Sequence, residues 1–199
     1  MGSPNKVELK LLSNYASNCN FIIETGGGGK STEVLAQAAQ NNNSVFVSIE
    51  VDKNRRSKME KSIEETINYR NGWSISYEDI IKEGDDLFVR SRYDVTDGRI
   101  AMGKKKLMKG EVDLIRKSID EFDVDLDFFF CDTGEYCGVA EWRIVSNIIK
   151  KGGYFAAHDI YFPKSIKCFQ AVAEIENSDN WEVVEKTTSS QGLLIARRL

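Results

Sequence analysis

Residues 21–52 constrain this chain more than any other stretch. They read Phe21-Ile22-Ile23-Glu24-Thr25, then Gly26-Gly27-Gly28-Gly29-Lys30-Ser31-Thr32, then a short helical pattern, then Val45-Phe46-Val47-Ser48-Ile49-Glu50-Val51-Asp52. An apolar strand runs into four glycines, a helix begins, and a second apolar strand ends on acids. That is a βαβ unit with a glycine-rich first turn, a layout that holds nucleotide-like ligands. Glycines allow positive φ and a close backbone approach. An acid ending the second strand can accept hydrogen bonds from the two hydroxyls of a ribose.

The alternation of strand and helix continues to the end of the chain. The pattern predicts helices over 7–16, 31–40, 53–69, 111–122, 140–150 and 165–175. It predicts strands over 21–25, 45–52, 73–77, 126–131, 154–157, 181–186 and 192–198, the last two an antiparallel pair. The fold class expected is α/β: a Rossmann-like three-layer sandwich around a mostly parallel seven-stranded sheet with a final antiparallel strand. The 199 residues suffice for one such domain, spanning 1–199, with 1–17 as an N-terminal helix. Residues 85–110 are the least regular stretch and a candidate lid insert.

Composition narrows the function classes. A net charge of −4 gives no electrostatic footprint for nucleic acid. Lys104-Lys105-Lys106 reads as a solvated loop or helix start. No apolar run is long enough for a membrane span, and the N-terminus lacks a signal-peptide core, so a cytoplasmic protein is expected. Cys19, Cys131, Cys137 and Cys168 form no C-x-x-C pair and there is one His, which argues against structural zinc. Cys131, in an apolar strand, reads as a buried reduced thiol.

Two nucleotide-type patterns compete at the glycines. Gly29-Lys30-Ser31 ends like a P-loop, but Glu24 stands where the first P-loop glycine belongs, and a carboxylate there repels a triphosphate. The other pattern, Glu24-x-Gly26-x-Gly28, resembles motif I of class I S-adenosylmethionine-dependent methyltransferases. Their ligand carries an ammonium and a sulfonium and no phosphate. Glu50 stands where the catechol O-methyltransferase type has its ribose-binding Glu, and Lys30 departs from the third glycine of many members. Asp52 reads as a cap of the following helix, and Asp79 or Glu78 falls where the family often has a polar residue near the adenine, a plain turn residue being the other reading.

Strand four ends Phe130-Cys131-Asp132, and strand five ends Ala157-His158-Asp159. Ligands in open α/β sheets bind beyond such carboxyl ends. The layout resembles catechol O-methyltransferase and the cephalosporin-hydroxylase-like group, where acids at these ends bind magnesium. Carried over by position, Asp132, His158 and Asp159 are the metal set. His158 in that set favours manganese or ferrous iron over magnesium. His158 is also a candidate general base, with a structural His bonding a loop carbonyl as the plainer role. Tyr136 and Trp142 read as packing residues.

The resemblance implies an S-adenosyl-L-methionine-dependent methyltransferase acting on oxygen or nitrogen of a small molecule, with Asp132, His158 and Asp159 as catalytic residues. Glu24, Gly26, Gly28, Glu50 and Asp79 would be its cofactor-binding residues. A divalent metal and a homo-oligomer are compatible with it, and no nucleic-acid or membrane partner is expected. Two alternatives stay open: a non-catalytic binding or scaffolding domain, and a P-loop-type phosphotransferase. Arg90, Arg92 and Arg99 in the candidate lid could anchor an acidic acceptor or be plain surface charge.

Overall fold

The computed structural model describes residues 3–56, 65–76, 78–79, 110–134, 137–161, 165, 167–189 and 191–199. Their elements run α1 (Lys6–Ala16), β1 (Phe21–Thr25), α2 (Lys30–Asn42), β2 (Val45–Glu50), α3 (Lys53–Arg56), β3 (Asn68–Asn71), α4 (Leu114–Phe122), β4 (Phe128–Cys131), α5 (Cys137–Val145), β5 (Tyr154–His158), α6 (Phe169–Glu176), β6 (Trp181–Lys186) and β7 (Leu193–Arg198). The strands form one seven-stranded sheet in the order β3-β2-β1-β4-β5-β7-β6. β1 to β5 are parallel, and β7 runs antiparallel to both β5 and β6. The architecture and the antiparallel C-terminal strand are those read from the sequence.

Strand side chains alternate between two covered faces. Ile22, Phe46, Phe128, Phe130, Ala156 and Ile195 pack with Leu12 and Ala16 of α1 and with Leu35, Ala36 and Ala39 of α2. Phe21, Ile23, Val47, Phe129, Phe155 and Ala196 face the other way, with residues of α4, α5 and α6. Burial on both faces explains the unbroken apolar run of β4, since no position there meets water. Trp142 lies in this second layer, 4.8 Å from the Phe155 ring and 5.0 Å from Trp181, and its indole N–H donates to Glu174. It is a packing residue, as read.

The caps follow local chemistry. The Asn5 side chain accepts from the backbone N–H groups of Val7 and Glu8, and the Asn5 N–H donates to the Glu8 carboxylate, a reciprocal box at the start of α1. Asn43 ends α2 at φ 53°, a left-handed conformation that Asn tolerates.

Several boundaries differ from the sequence reading. The third strand is Asn68–Asn71, not 73–77, so the helix expected over 53–69 cannot reach its end. The backbone of residues 73–75 is engaged elsewhere. Trp73 N–H donates to Glu111, and the carbonyls of Trp73, Ser74 and Ile75 accept from Leu114, Ile115 and Asp113 at the head of α4. That helix therefore starts at Leu114 rather than 111. The helix expected over 140–150 spans Cys137–Val145, and that expected over 165–175 starts at Phe169, which leaves Lys167 in a turn. The candidate lid up to residue 109, with Arg90, Arg92 and Arg99, lies outside the described residues, as do Lys104-Lys105-Lys106 and Tyr136. No helix among the described residues is long and apolar enough to cross a membrane.

Candidate active site

The carboxyl ends of β1, β2, β4 and β5 lie side by side, and the polar residues of the sequence motifs collect there. After β1 the chain turns through Gly26 at φ 78° and Gly28 at φ 92°. A Cβ on Gly26 would lie 2.1 Å from the Asp132 carbonyl oxygen, so any side chain there collides with the end of β4. Gly26 and Gly27 N–H both donate to the Ile49 carbonyl, and Asp132 N–H donates to the Thr25 carbonyl. The glycine loop is thus stitched to the strand ends on either side.

Glu24 sits beneath this loop. It is fully buried and accepts from Ser31 Oγ at 2.8 Å, Thr32 Oγ1 at 2.6 Å and Ser48 Oγ at 3.0 Å. Thr32 Oγ1 in turn accepts from the N–H groups of Gly28 and Gly29. One carboxylate therefore holds the first turn of α2, the glycine loop and β2 together. Burial pushes its pKa up to about 7 against the three hydroxyls, with the Asp132 charge adding to the rise. Lys30, by contrast, is exposed at the first position of α2.

Glu50 ends β2 at the edge of the same loop. One oxygen accepts from Asp52 N–H at 2.9 Å and the other from Arg55 Nη1 at 2.7 Å. Arg55 also reaches the Gly26 carbonyl at 3.4 Å. Asp52 accepts from Asn54 N–H and caps α3, as read from the sequence. Asp79 is bound to Arg116, at 2.9 and 3.2 Å, and to Ser76. Burial would raise its carboxyl, but Arg116 and Ser76 outweigh that and hold it below the usual range.

Asp132, His158 and Asp159 converge as the sequence suggested: one ligand atom from each lies within 4.8 Å of the others. Asp159 adopts φ 61°, and its backbone N–H donates to the Gly192 carbonyl. His158 Nδ1 is 3.2 Å from Asp159 Oδ1 and 3.6 Å from Asp132 Oδ1, and its Nε2 is 3.7 Å from Glu8 Oε2. Among the described residues, neither ring nitrogen has a hydrogen-bond partner. The loop-carbonyl role considered for His158 is therefore not realised among the described residues.

Sequence reasoning missed two members of this cluster. Lys167 Nζ is 2.7 Å from Asp132 Oδ1 and 2.7 Å from Asp159 Oδ2, and its side chain is only 1% exposed. Burial would raise the Asp132 carboxyl, yet the Lys167 ammonium and the His158 ring hold it below the usual range. Lys167 is itself raised by the two carboxylates against the effect of burial. The local signal was a Lys inside the apolar run Ile166-Lys167-Cys168-Phe169. Glu8 is the second: fully buried, it accepts from Thr187 Oγ1 at 2.8 Å and Ser189 Oγ at 3.3 Å. Its signal was a carboxylate in register with Leu12 and Ala16, the other buried positions of α1.

Behind the cluster, Glu141 accepts from Thr25 Oγ1, Ser74 Oγ and Cys131 Sγ. Burial raises its carboxyl despite these donors. Cys131 is a buried free thiol, as expected, with Cys168 Sγ 3.6 Å away.

Several solved structures share this fold. An O-methyltransferase from Bacillus cereus, in complex with SAH, matches with a TM-score of 0.60 at 14% identity, over 99% of this chain and 83% of that one. A methyltransferase from Geobacter sulfurreducens matches at 0.60 and 12%, over 98% and 80%. The O-methyltransferase TomG from Streptomyces achromogenes, in complex with SAM, matches at 0.57 and 13%, over 98% and 81%. No family model and no curated protein matches the sequence. At these identities the likeness is one of architecture, and on that ground the chain has the class I methyltransferase fold.

Proposed function

We propose that this chain binds S-adenosylmethionine and transfers its methyl group to an oxygen or nitrogen of a small molecule. The observation that carries this reading is the meeting of three strand ends: the Gly26–Gly28 turn after β1, Glu50 at the end of β2 and Asp132 at the end of β4. The residues present fit the cofactor. The glycine turn admits a ligand close to backbone, Glu50 can take the ribose hydroxyls by exchanging Arg55 for them, and the nearby carboxylates favour a cationic sulfonium.

When bound, the cofactor supplies an electrophilic methyl carbon whose bond to sulfur breaks as the acceptor's lone pair attacks in line. The protein's part is chiefly alignment. Glu24 fixes the loop against α2 and β2. Asp132, whose side chain is 19% exposed while His158, Asp159 and Lys167 are enclosed, is the member of the cluster placed to meet an acceptor. His158 touches the acceptor only through Asp132, as a positioning residue.

A phosphotransferase is disfavoured by the same geometry. Ser31, whose hydroxyl a P-loop would turn to magnesium, donates it instead to buried Glu24. The test is a thermal shift. S-adenosylhomocysteine is expected to raise Tm, in proportion to the logarithm of its excess over Kd, and ATP with magnesium to leave it unchanged. The reverse pattern would overturn the reading. Binding without methyl release to any acceptor would select the non-catalytic alternative.

A further inference from the structure

We propose that the Lys167 ammonium is the resident cation of the Asp132–His158–Asp159 cluster, standing where a divalent metal would bridge the two carboxylates, so that this site works without a metal ion. The three side chains have the residue types and the convergence of a metal site. Yet one oxygen of each carboxylate is already bound to Lys167 Nζ at 2.7 Å. A divalent ion bridging those oxygens would stand where the ammonium stands, and an ion beside it would meet a buried positive charge head-on.

Lys167 is fixed there by its surroundings and is not a surface side chain that has folded in. Its backbone N–H donates to Ser165 Oγ. Its carbonyl packs against α5 at Gly138, where a Cβ would come within 2.4 Å of it. Its side chain is 1% exposed, so leaving the carboxylates means crossing packed protein. Burying two carboxylates this closely requires a counter-charge, and the chain carries it covalently. The inference extends the reading above, and its test contains no cofactor, so the two can fail separately.

The experiment is a manganese titration followed by electron paramagnetic resonance, with thermal unfolding in parallel. Wild-type protein is expected to bind no manganese at the cluster and to keep its Tm with or without a chelator. Lys167→Ala leaves the carboxylates unpaired and lowers Tm by about 10 °C. It also vacates the bridging position, so one manganese per chain is expected to bind and to restore much of the lost Tm. Adding Asp132→Asn to that variant should abolish the binding. Lys167→Met, which fills the space without the charge, should be destabilised and bind none. Stoichiometric manganese binding by the wild type, lost in Asp132→Asn, would overturn the proposal. So would a folded Lys167→Ala variant that binds no metal. The wild-type titration decides the matter even if the alanine variant fails to fold.

Discussion

Glu24 allows a sharp test of how the glycine loop is held. It titrates at about 7 in the folded protein against an ordinary value of 4.5, because burial outweighs its three hydroxyl donors. Below pH 4.5 it is neutral in both folded and unfolded chains and costs nothing. Between 4.5 and 7 the folded chain keeps a proton that the unfolded chain has released, so stability falls as pH rises. Above 7 the full cost is present. At roughly 1.36 kcal/mol per pH unit of separation, that cost is about 3 kcal/mol. Glu24→Gln removes the titration while keeping the contacts. Its oxygen can take the Thr32 and Ser48 donors on one side, and its amide N–H can donate to Ser31 Oγ on the other. The stability of the Gln variant minus that of the wild type is therefore expected to climb by about 3 kcal/mol between roughly pH 4.5 and 8. Urea unfolding at several pH values measures it, and titrating groups not coupled to Glu24 cancel in the difference. A difference flat to within about 0.5 kcal/mol across that range would refute the account of Glu24 as a buried, proton-holding acid.

Two further outcomes are expected. Glu50→Ala should weaken S-adenosylhomocysteine binding by about 1.5–3 kcal/mol, with Glu50→Gln keeping part of it, because a charged acceptor for the ribose hydroxyls is lost. Calorimetry giving equal affinity in a folded alanine variant would remove Glu50 from the site. Gly26→Ala should cost about 2 kcal/mol or more, since its Cβ meets the Asp132 carbonyl at 2.1 Å and its φ is 78°, whereas Gly29→Ala, whose Cβ meets no atom of the described residues beyond its chain neighbours within 4 Å, should cost about 1 kcal/mol or less. Equal Tm losses in the two variants would contradict the described loop.

The sheet was legible because its strands obey a simple rule. β1, β2, β4 and β5 are buried on both faces, so each is a short apolar run closed by a polar residue at its carboxyl end, and those polar residues mark the site. β3 was misplaced because it sits at the sheet edge. Asn68-Tyr69-Arg70-Asn71 has no apolar face to announce itself, while the alternation in Trp73-Ser74-Ile75 serves contacts with α4. The convergence of Asp132, His158 and Asp159 followed from strand adjacency alone. The ammonium between them did not, because Lys167 comes from a turn whose path depends on the packing of Gly138 against its carbonyl, and no periodicity encodes that. The resemblance to motif I sets Glu24 beside a cationic ligand, but its carboxylate faces hydroxyls on α2 and β2, since β1 turns that side chain toward the α2 layer.

The Glu8 contacts carry a consequence for the order in which the molecule assembles. Glu8 and Thr187 are 179 residues apart, and Ser189 and His158 also come late in the chain. During synthesis α1 emerges well before β6 and β7, with an apolar stripe and a carboxylate on the same face. Until the β6–β7 hairpin exists, docking that face would bury Glu8 with only the Asn5 N–H to receive it. α1 therefore seats only after β6 and β7 have formed, and its seating closes the floor beneath His158. A chain stopped short of Thr187 would leave α1 undocked and the strand-end cluster open to water from below.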